Sequence, residues 1–156
     1  MQALCEGLGD GAAPSLLLLE LGLNSSGPAG AEALAAALGR RAMPKLAVLD
    51  LDDNPVGNRG LAALAAPLSK LPTLAVLLLR GCDIGDEGVA SLVAGLGKDD
   101  FKALEDLRLQ NNKITDAGRA TLARALDANS LPRLHKSCPA ALRLTLVTQN
   151  VMSVVA

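Results

Sequence analysis

The chain has 156 residues and a formal charge of −1; half of its residues are apolar, yet it holds one Phe and no Trp or Tyr. That length suits one domain of ordinary size, and the near-neutral charge gives no global pull toward nucleic acid or an anionic membrane. A core without aromatic residues must be built from Leu, Ala and Val. Three cysteines, Cys5, Cys82 and Cys138, are odd in number and irregularly spaced. They make no disulfide framework and suit a reducing compartment, cytoplasmic or nuclear. The N-terminus has no basic region and contains Glu6 and Asp10, unlike a signal peptide, and the apolar run Ser15–Leu19 stops at Glu20. The tail from Leu142 to Ala156 is too short to span a bilayer comfortably.

In chain order, the first element is a partial one. Leu4 and Leu8 precede Leu16 by 12 and 8 residues, as Leu34 and Leu38 precede Leu46. The spacing predicts a half-unit over residues 1–13, a helix whose own strand is missing, so that the chain reads as a piece of a longer repeat protein. Gly7, Gly9 and Gly11 would then be the loop that ends this helix. They follow no strand, which sets aside a dinucleotide fingerprint.

Four complete units follow, starting near residues 16, 46, 74 and 104. Each opens with L-x-x-L-x-L, as in Leu46, Leu49 and Leu51, or Leu104, Leu107 and Leu109. The last two leucines are two apart and therefore share one face of a strand. An anchor ends each strand: Asn24, Asn54, Cys82 and Asn112, spaced 30, 28 and 30 residues apart. An Asn amide offers donors and acceptors to backbone groups left unpaired where the chain turns, in its own unit and the next; a thiol does so only weakly.

The second half of each unit reads as a helix. Four residues past the anchors stand Pro28, Asn58, Asp86 and Asp116, three of which are good N-cap types. Two residues later come Gly30, Gly60, Gly88 and Gly118, which would allow close approach between stacked units. Leucines ten and fourteen past each anchor, such as Leu64 and Leu68, lie one helical turn apart on one face. Gly39 and Gly97 signal helix ends, Pro67 should fray or kink the end of the second helix, and Pro14, Pro44, Pro72 and Pro132 each lie two residues before a unit's first leucine. Phe101 should plug the longer third connection. Arg40 and Arg41, and Lys98 with Asp99 and Asp100, read as solvated loop charges. Pro132 and Leu134 announce a fifth strand, but Ser137 and Pro139 fall where leucines belong. Residues 135–156 are an irregular tail or a degenerate last strand around Leu142, Leu144 and Leu146.

Strand and helix alternate, so the strands must pair in parallel with helices on one side. Helices are wider than the strand spacing, so the stack should curve with the strands inside. A period near 30 residues means a stack of repeated units. The expected fold is a right-handed α/β solenoid.

These residues resemble leucine-rich repeats of the ribonuclease-inhibitor type, whose pattern is L-x-x-L-x-L-x-x-N/C-x-L followed by a full helix. Here it stands as Leu46-Ala-Val-Leu49-Asp-Leu51-Asp-Asp-Asn54-Pro-Val56 and as Leu104-Glu-Asp-Leu107-Arg-Leu109-Gln-Asn-Asn112-Lys-Ile114. The resemblance covers residues 2–134. It implies a horseshoe segment with parallel strands on the concave face, helices on the convex face and binding of protein partners. Ran GTPase-activating proteins share the repeat subtype but carry more repeats and an acidic tail, so a GTPase-activating-type regulator is an alternative. A sensing fragment of a nucleotide-binding immune-type receptor is another.

The inner face should be lined by Glu20 and Gly22, Asp50 and Asp52, Leu78 and Arg80, Arg108 and Gln110, with Leu23, Asp53, Gly81 and Asn111 just beyond. From these, Glu20, Asp50, Asp52, Asp53, Leu78, Arg80, Arg108 and Gln110 are the candidate partner-binding residues. An acidic patch beside a basic one gives a bipolar docking surface; the bland alternative is ordinary cross-strand pairs, such as Asp52 with Arg80. The run from Asp50 to Asn54 is no calcium loop, because Pro55 and Leu61 stand where Gly and Glu are needed. His135 is the only histidine, has no partner constellation and reads as a surface residue. Cys82 should be buried and structural. No nucleophile, base and orienting group coexist, so the expected function is non-catalytic protein binding, with no cofactor or metal and no nucleic-acid or membrane partner. Self-association through uncapped ends is a further expectation.

Overall fold

The computed structural model describes residues 7–94, 96–97 and 100–127. Four strands, β1 (Leu18–Glu20), β2 (Val48–Asp50), β3 (Val76–Leu78) and β4 (Asp106–Arg108), alternate with four helices. The helices are α1 (Pro28–Gly39), α2 (Gly57–Ser69), α3 (Asp86–Val93) and α4 (Asp116–Asp127). The strands pair in parallel in chain order, and the register is regular. Leu18, Val48, Val76 and Asp106 form one row, Leu19, Leu49, Leu77 and Leu107 the next, and Glu20, Asp50, Leu78 and Arg108 the third.

The middle row points into the core. Leu49 and Leu77 are fully buried, as are the leucines two residues on, Leu51 and Leu79. Facing them are the leucines of the helices, Leu34, Leu38, Leu64, Leu68, Leu92 and Leu122. Alanine between these leucines keeps the helices close to the sheet, so the layer is narrow. Phe101, the lone aromatic, is 1% exposed and in left-handed backbone at φ 46°. It fills the third connection, where its N–H donates to the Ser69 carbonyl at 2.9 Å.

The anchors act between units. Asn54 is fully buried. Its Oδ1 accepts from the Ser26 N–H at 2.8 Å, and its Nδ2 donates to the carbonyls of Leu21, Leu51 and Asp52 at 2.8, 3.0 and 3.2 Å. Asn112 repeats the scheme two periods on, accepting from the N–H groups of Cys82 and Ile84 and donating to the carbonyls of Leu79, Leu109 and Gln110. The Cys82 thiol keeps part of it, donating to the Leu51 carbonyl at 3.1 Å and the Arg80 carbonyl at 3.3 Å. Burial, with the nearby Asp52, Asp53 and Asp50 carboxylates, pushes this thiol up to about 11. It is a free, buried cysteine and inert for that reason. The residue before each anchor turns the chain in left-handed backbone: Leu23, Asp53, Gly81 and Asn111, at φ 59°, 55°, 60° and 57°.

Several expectations change. Asn58 and Asp86 do not cap their own helices; they lie inside the first turn and cap the helix of the following unit. Asn58 Oδ1 accepts from the Gly85 N–H at 2.7 Å, and Asp86 accepts from the Thr115 N–H at 2.8 Å and from its hydroxyl at 2.5 Å. This is why the next unit's glycine is small: a Cβ on Gly88 would stand 2.8 Å from Asn58 Oδ1, and one on Gly118 would collide with Asp86 Oδ1. The helix α2 continues past Pro67 to Ser69; a proline in the last turn leaves little helix to disrupt. The helix α3 stops at Val93, so Leu96 packs on the core from the loop rather than from a helical face. Asp100 is no solvated loop charge. It is 3% exposed, binds the Gly97 N–H at 2.9 Å and pairs with Lys70; these bonds lower its pKa. Arg40 binds the Leu8 carbonyl through Nε at 3.2 Å and Nη2 at 2.9 Å. Residues 7–17 form turns, with Leu8 against the core, and residues 1–6 of the expected half-unit lie outside the described residues. Leu4, Lys98, Asp99, His135 and the whole segment 135–156 lie outside the described residues.

Candidate functional site: the open face of the sheet

Parallel sheets are ordinarily covered on both faces. Among the described residues, this one is covered on the helix side only. The other side presents three columns of side chains spaced by about 4.8 Å from strand to strand. The first is Leu18, Val48, Val76 and Asp106; the second is Glu20, Asp50, Leu78 and Arg108. Gly22, Asp52, Arg80 and Gln110 continue the face beyond the strands, where the N–H groups of Leu23, Asp53 and Gly81 donate to the carbonyls of Asp52, Arg80 and Gln110. The candidate residues Glu20, Asp50, Asp52, Asp53, Leu78, Arg80, Arg108 and Gln110 are thus brought to one side of the molecule.

Their chemistry differs from a simple bipolar surface. Asp52 is only 6% exposed. Its Oδ1 accepts from the Arg80 N–H and its Oδ2 from Arg80 Nε, both at 2.7 Å, with Arg80 Nη2 at 2.6 Å. That is an ordinary cross-strand pair, and the Asp52 carboxylate raises the pKa of Arg80 further above its usual value. Arg108 folds back on its own strand, with Nη2 2.9 Å from Asp106 Oδ2. Both basic side chains of the face are therefore matched by acids within it. Asp50 Oδ1 accepts from the Asp52 N–H at 2.8 Å. Glu20 and Asp53 are exposed and have no side-chain partner among the described residues. What remains is an acidic excess on the β1–β2 side. Gln110 Oε1 is buried without a donor among the described residues.

Sequence reasoning overlooked the first column. Leu18 is 48% exposed, and Val48 and Val76 are half-buried. The signal was present: in L-x-L the residue before the middle leucine faces outward as surely as the one after it. Leu17 and Leu23, 58% and 80% exposed, join Leu18 at the β1 end. These three are the exposed large hydrophobic residues of the described chain.

Among the described residues, no group of His, Cys, Asp and Glu is placed to hold a metal ion, and no helix is long and apolar enough to cross a membrane. The Leucine Rich repeat family model matches residues 42–65, 70–93 and 103–123. Comparison with curated proteins gives no match. Among solved structures, the chain is similar to "Leiomodin-1 Actin-Binding Site 2 (ABS2)", with a TM-score of 0.66 and 15% identity over 94% of this chain and 95% of that one. At that identity the likeness speaks to the fold. Period, strand register and these two likenesses converge on the fold: the chain carries leucine-rich repeats in an α/β arrangement of parallel strands and helices.

Proposed function

We propose that this chain is a non-catalytic protein-interaction module that engages its partner through the open face of the sheet. The observation that carries this reading is that, among the described residues, the face is uncovered and mixed in character. The apolar row Leu18, Val48 and Val76 lies beside a row of Glu20, Asp50 and Leu78, whose two acids have no basic partner among the described residues. Such a face gives a partner both apolar area and charge. The helix side, by contrast, is consumed by packing. We infer the ribonuclease-inhibitor-like subtype from the 28–30-residue period and from α1, α2 and α4, which run 12, 13 and 12 residues. A cytoplasmic or nuclear setting fits the free buried thiol of Cys82. The GTPase-activating and immune-receptor readings gain no specific observation here. Actin enters as the first partner to assay, because the matched structure is named as an actin-binding site.

The test is co-sedimentation with filamentous actin and capture of other partners, using the unaltered chain, Asp50→Lys/Leu78→Glu on the open face, and Arg59→Glu on α2. Capture that the first variant loses and Arg59→Glu keeps is the expected result. Unchanged capture of every partner by the open-face variant would remove that face from the reading.

A further inference from the structure

We propose that the open face takes an amphipathic helix of a partner protein, lying across the strands. Its apolar stripe covers Leu18, Val48 and Val76, and Lys or Arg lines the flank that faces Asp50 and Asp53. This rests on the open face being the docking surface and adds the partner's shape, direction and charge. The site centres on β2 and β3, inner strands with a paired neighbour on each side.

Spacing selects a helix. Leu18, Val48 and Val76 form one row across the sheet, one residue per strand, about 4.8 Å apart. A helix crossing the strands rises about 5.4 Å per turn, so apolar residues at i, i+4 and i+7 meet one strand after another. From β1 to β3 the two repeats drift by only about 1 Å, which side chains absorb. An extended segment laid the same way falls out of step, because its residues on one side recur every ~6.7 Å. The next row, Glu20, Asp50 and Leu78, lies two residues further along each strand, roughly 6.7 Å away. A helix about 10 Å across covers both rows. At β4 the apolar row gives way to Asp106, which pairs with Arg108. The face therefore accepts a short apolar stripe, one helical turn for each of β1, β2 and β3.

Charge fixes the flank. Asp52 holds the Arg80 guanidinium, and the Asp50 and Asp53 carboxylates are near enough to raise its pKa further. One cation thus stands among three carboxylates, and Asp52 alone occupies it. Asp50 gives its Oδ1 to the Asp52 N–H and has no basic partner among the described residues. Asp53, exposed and in left-handed backbone at φ 55°, has none either. A wholly apolar or acidic partner would strip water from these carboxylates and return nothing. Lys or Arg on the covering helix returns charge-assisted hydrogen bonds, and its aliphatic stem lies along the valines.

The probe is a fluorescein-labelled helical peptide of about 18 residues of Ala, Leu and Lys, with leucines at i, i+4 and i+7 and lysines on one flank. Its binding is read by fluorescence anisotropy on the full chain. One twin replaces lysine by glutamate and should not bind. A second carries a central proline and should bind roughly tenfold more weakly or worse. Asp50→Asn/Asp53→Asn keeps the shape and the left-handed turn. It should weaken the lysine helix roughly fivefold and make its binding less sensitive to salt. Val48→Thr/Val76→Thr should weaken it with the salt dependence kept, and Arg59→Glu on α2 should leave it as it was. Equal binding of either twin, no loss with Asp50→Asn/Asp53→Asn, or no binding of the lysine helix each overturns the proposal. The open face as a docking surface survives those results and falls only if Asp50→Lys/Leu78→Glu leaves partner capture unchanged. Sedimentation of the peptide-free chain as a dimer that Asp50→Lys/Leu78→Glu dissolves would give the face to a second copy and also overturn the proposal.

Discussion

Asn24 and Asn54 occupy the same position in consecutive units and have little else in common. Asn54 is fully buried and ties its own turn to the unit before it through four hydrogen bonds. Asn24 is exposed and bonds only within its own unit. The residue before each anchor tells the same story. Asp53, Gly81 and Asn111 are types that tolerate left-handed backbone, whereas the first unit puts Leu23 there, 80% exposed. A repeat position therefore has no fixed energetic value. Its worth comes from the neighbouring unit that buries it and completes its bonds.

The sharpest way to break this comparison is to delete both amides. Asn54→Ala should cost about 3 kcal/mol, because it strands buried backbone groups of two units. Asn24→Ala should cost under about 0.5 kcal/mol. Urea unfolding of the two variants measures the gap, and similar losses would mean that the ladder is not what holds the units together.

Next come the glycines. A Cβ on Gly60 would stand 2.8 Å from Val56 Cγ1 and 2.9 Å from Ala31 Cβ, so Gly60→Ala should destabilise by about 2 kcal/mol through overpacking between units. Gly39, at the last position of α1, has nothing within 4 Å of a built Cβ. There the same change should gain about 0.5 kcal/mol from chain entropy alone. Opposite signs in thermal unfolding are the expected outcome.

Leu23→Gly sharpens the first-unit side. Relief of left-handed strain should stabilise the chain by about 1 kcal/mol, read as a raised urea midpoint at unchanged slope. No gain would mean that the Leu23 side chain makes contacts worth keeping.

The smallest effect is on the acid limb. Bonds from Thr115 hold Asp86 below its usual pKa, and those from Gly97 and Lys70 do the same for Asp100. A carboxylate lowered in the folded state stabilises above its unfolded pKa, and that contribution is lost as pH falls through the folded one. Stability should therefore fall below about pH 4, and Asp86→Asn with Asp100→Asn should flatten that fall in a urea series from pH 6 to about pH 2.5.

Much of this was legible in the residues. The L-x-x-L-x-L spacing gave the strands and their buried face, since alternation on a strand is a matter of geometry. The anchors gave the turns, and Gly60, Gly88 and Gly118 gave the close approach of stacked helices. Of the half-unit over residues 1–13, the described part folds as turns tied to the end of the first complete unit by Gly11, Ala13 and Arg40. On the open face, the sequence put acids and bases on one side and offered Asp52 with Arg80 as a cross-strand pair, but did not decide between that and a bipolar surface. Asp52 and Arg80 are 28 residues apart in the chain, and no local rule says that Asp52 is buried under that guanidinium while Glu20 stays free.

The sequence by itself determined the repeat, its period, the direction of the strand leucines and the parallel order of the strands. These follow from backbone periodicity and apply to each unit separately. The tertiary structure alone decided that Asn58 and Asp86 cap the next helix and not their own, that Asp52 is buried beneath Arg80, and that Asp100 is buried against Lys70. Each of those depends on what the neighbouring unit brings within a hydrogen-bond length, and only stacking sets that distance.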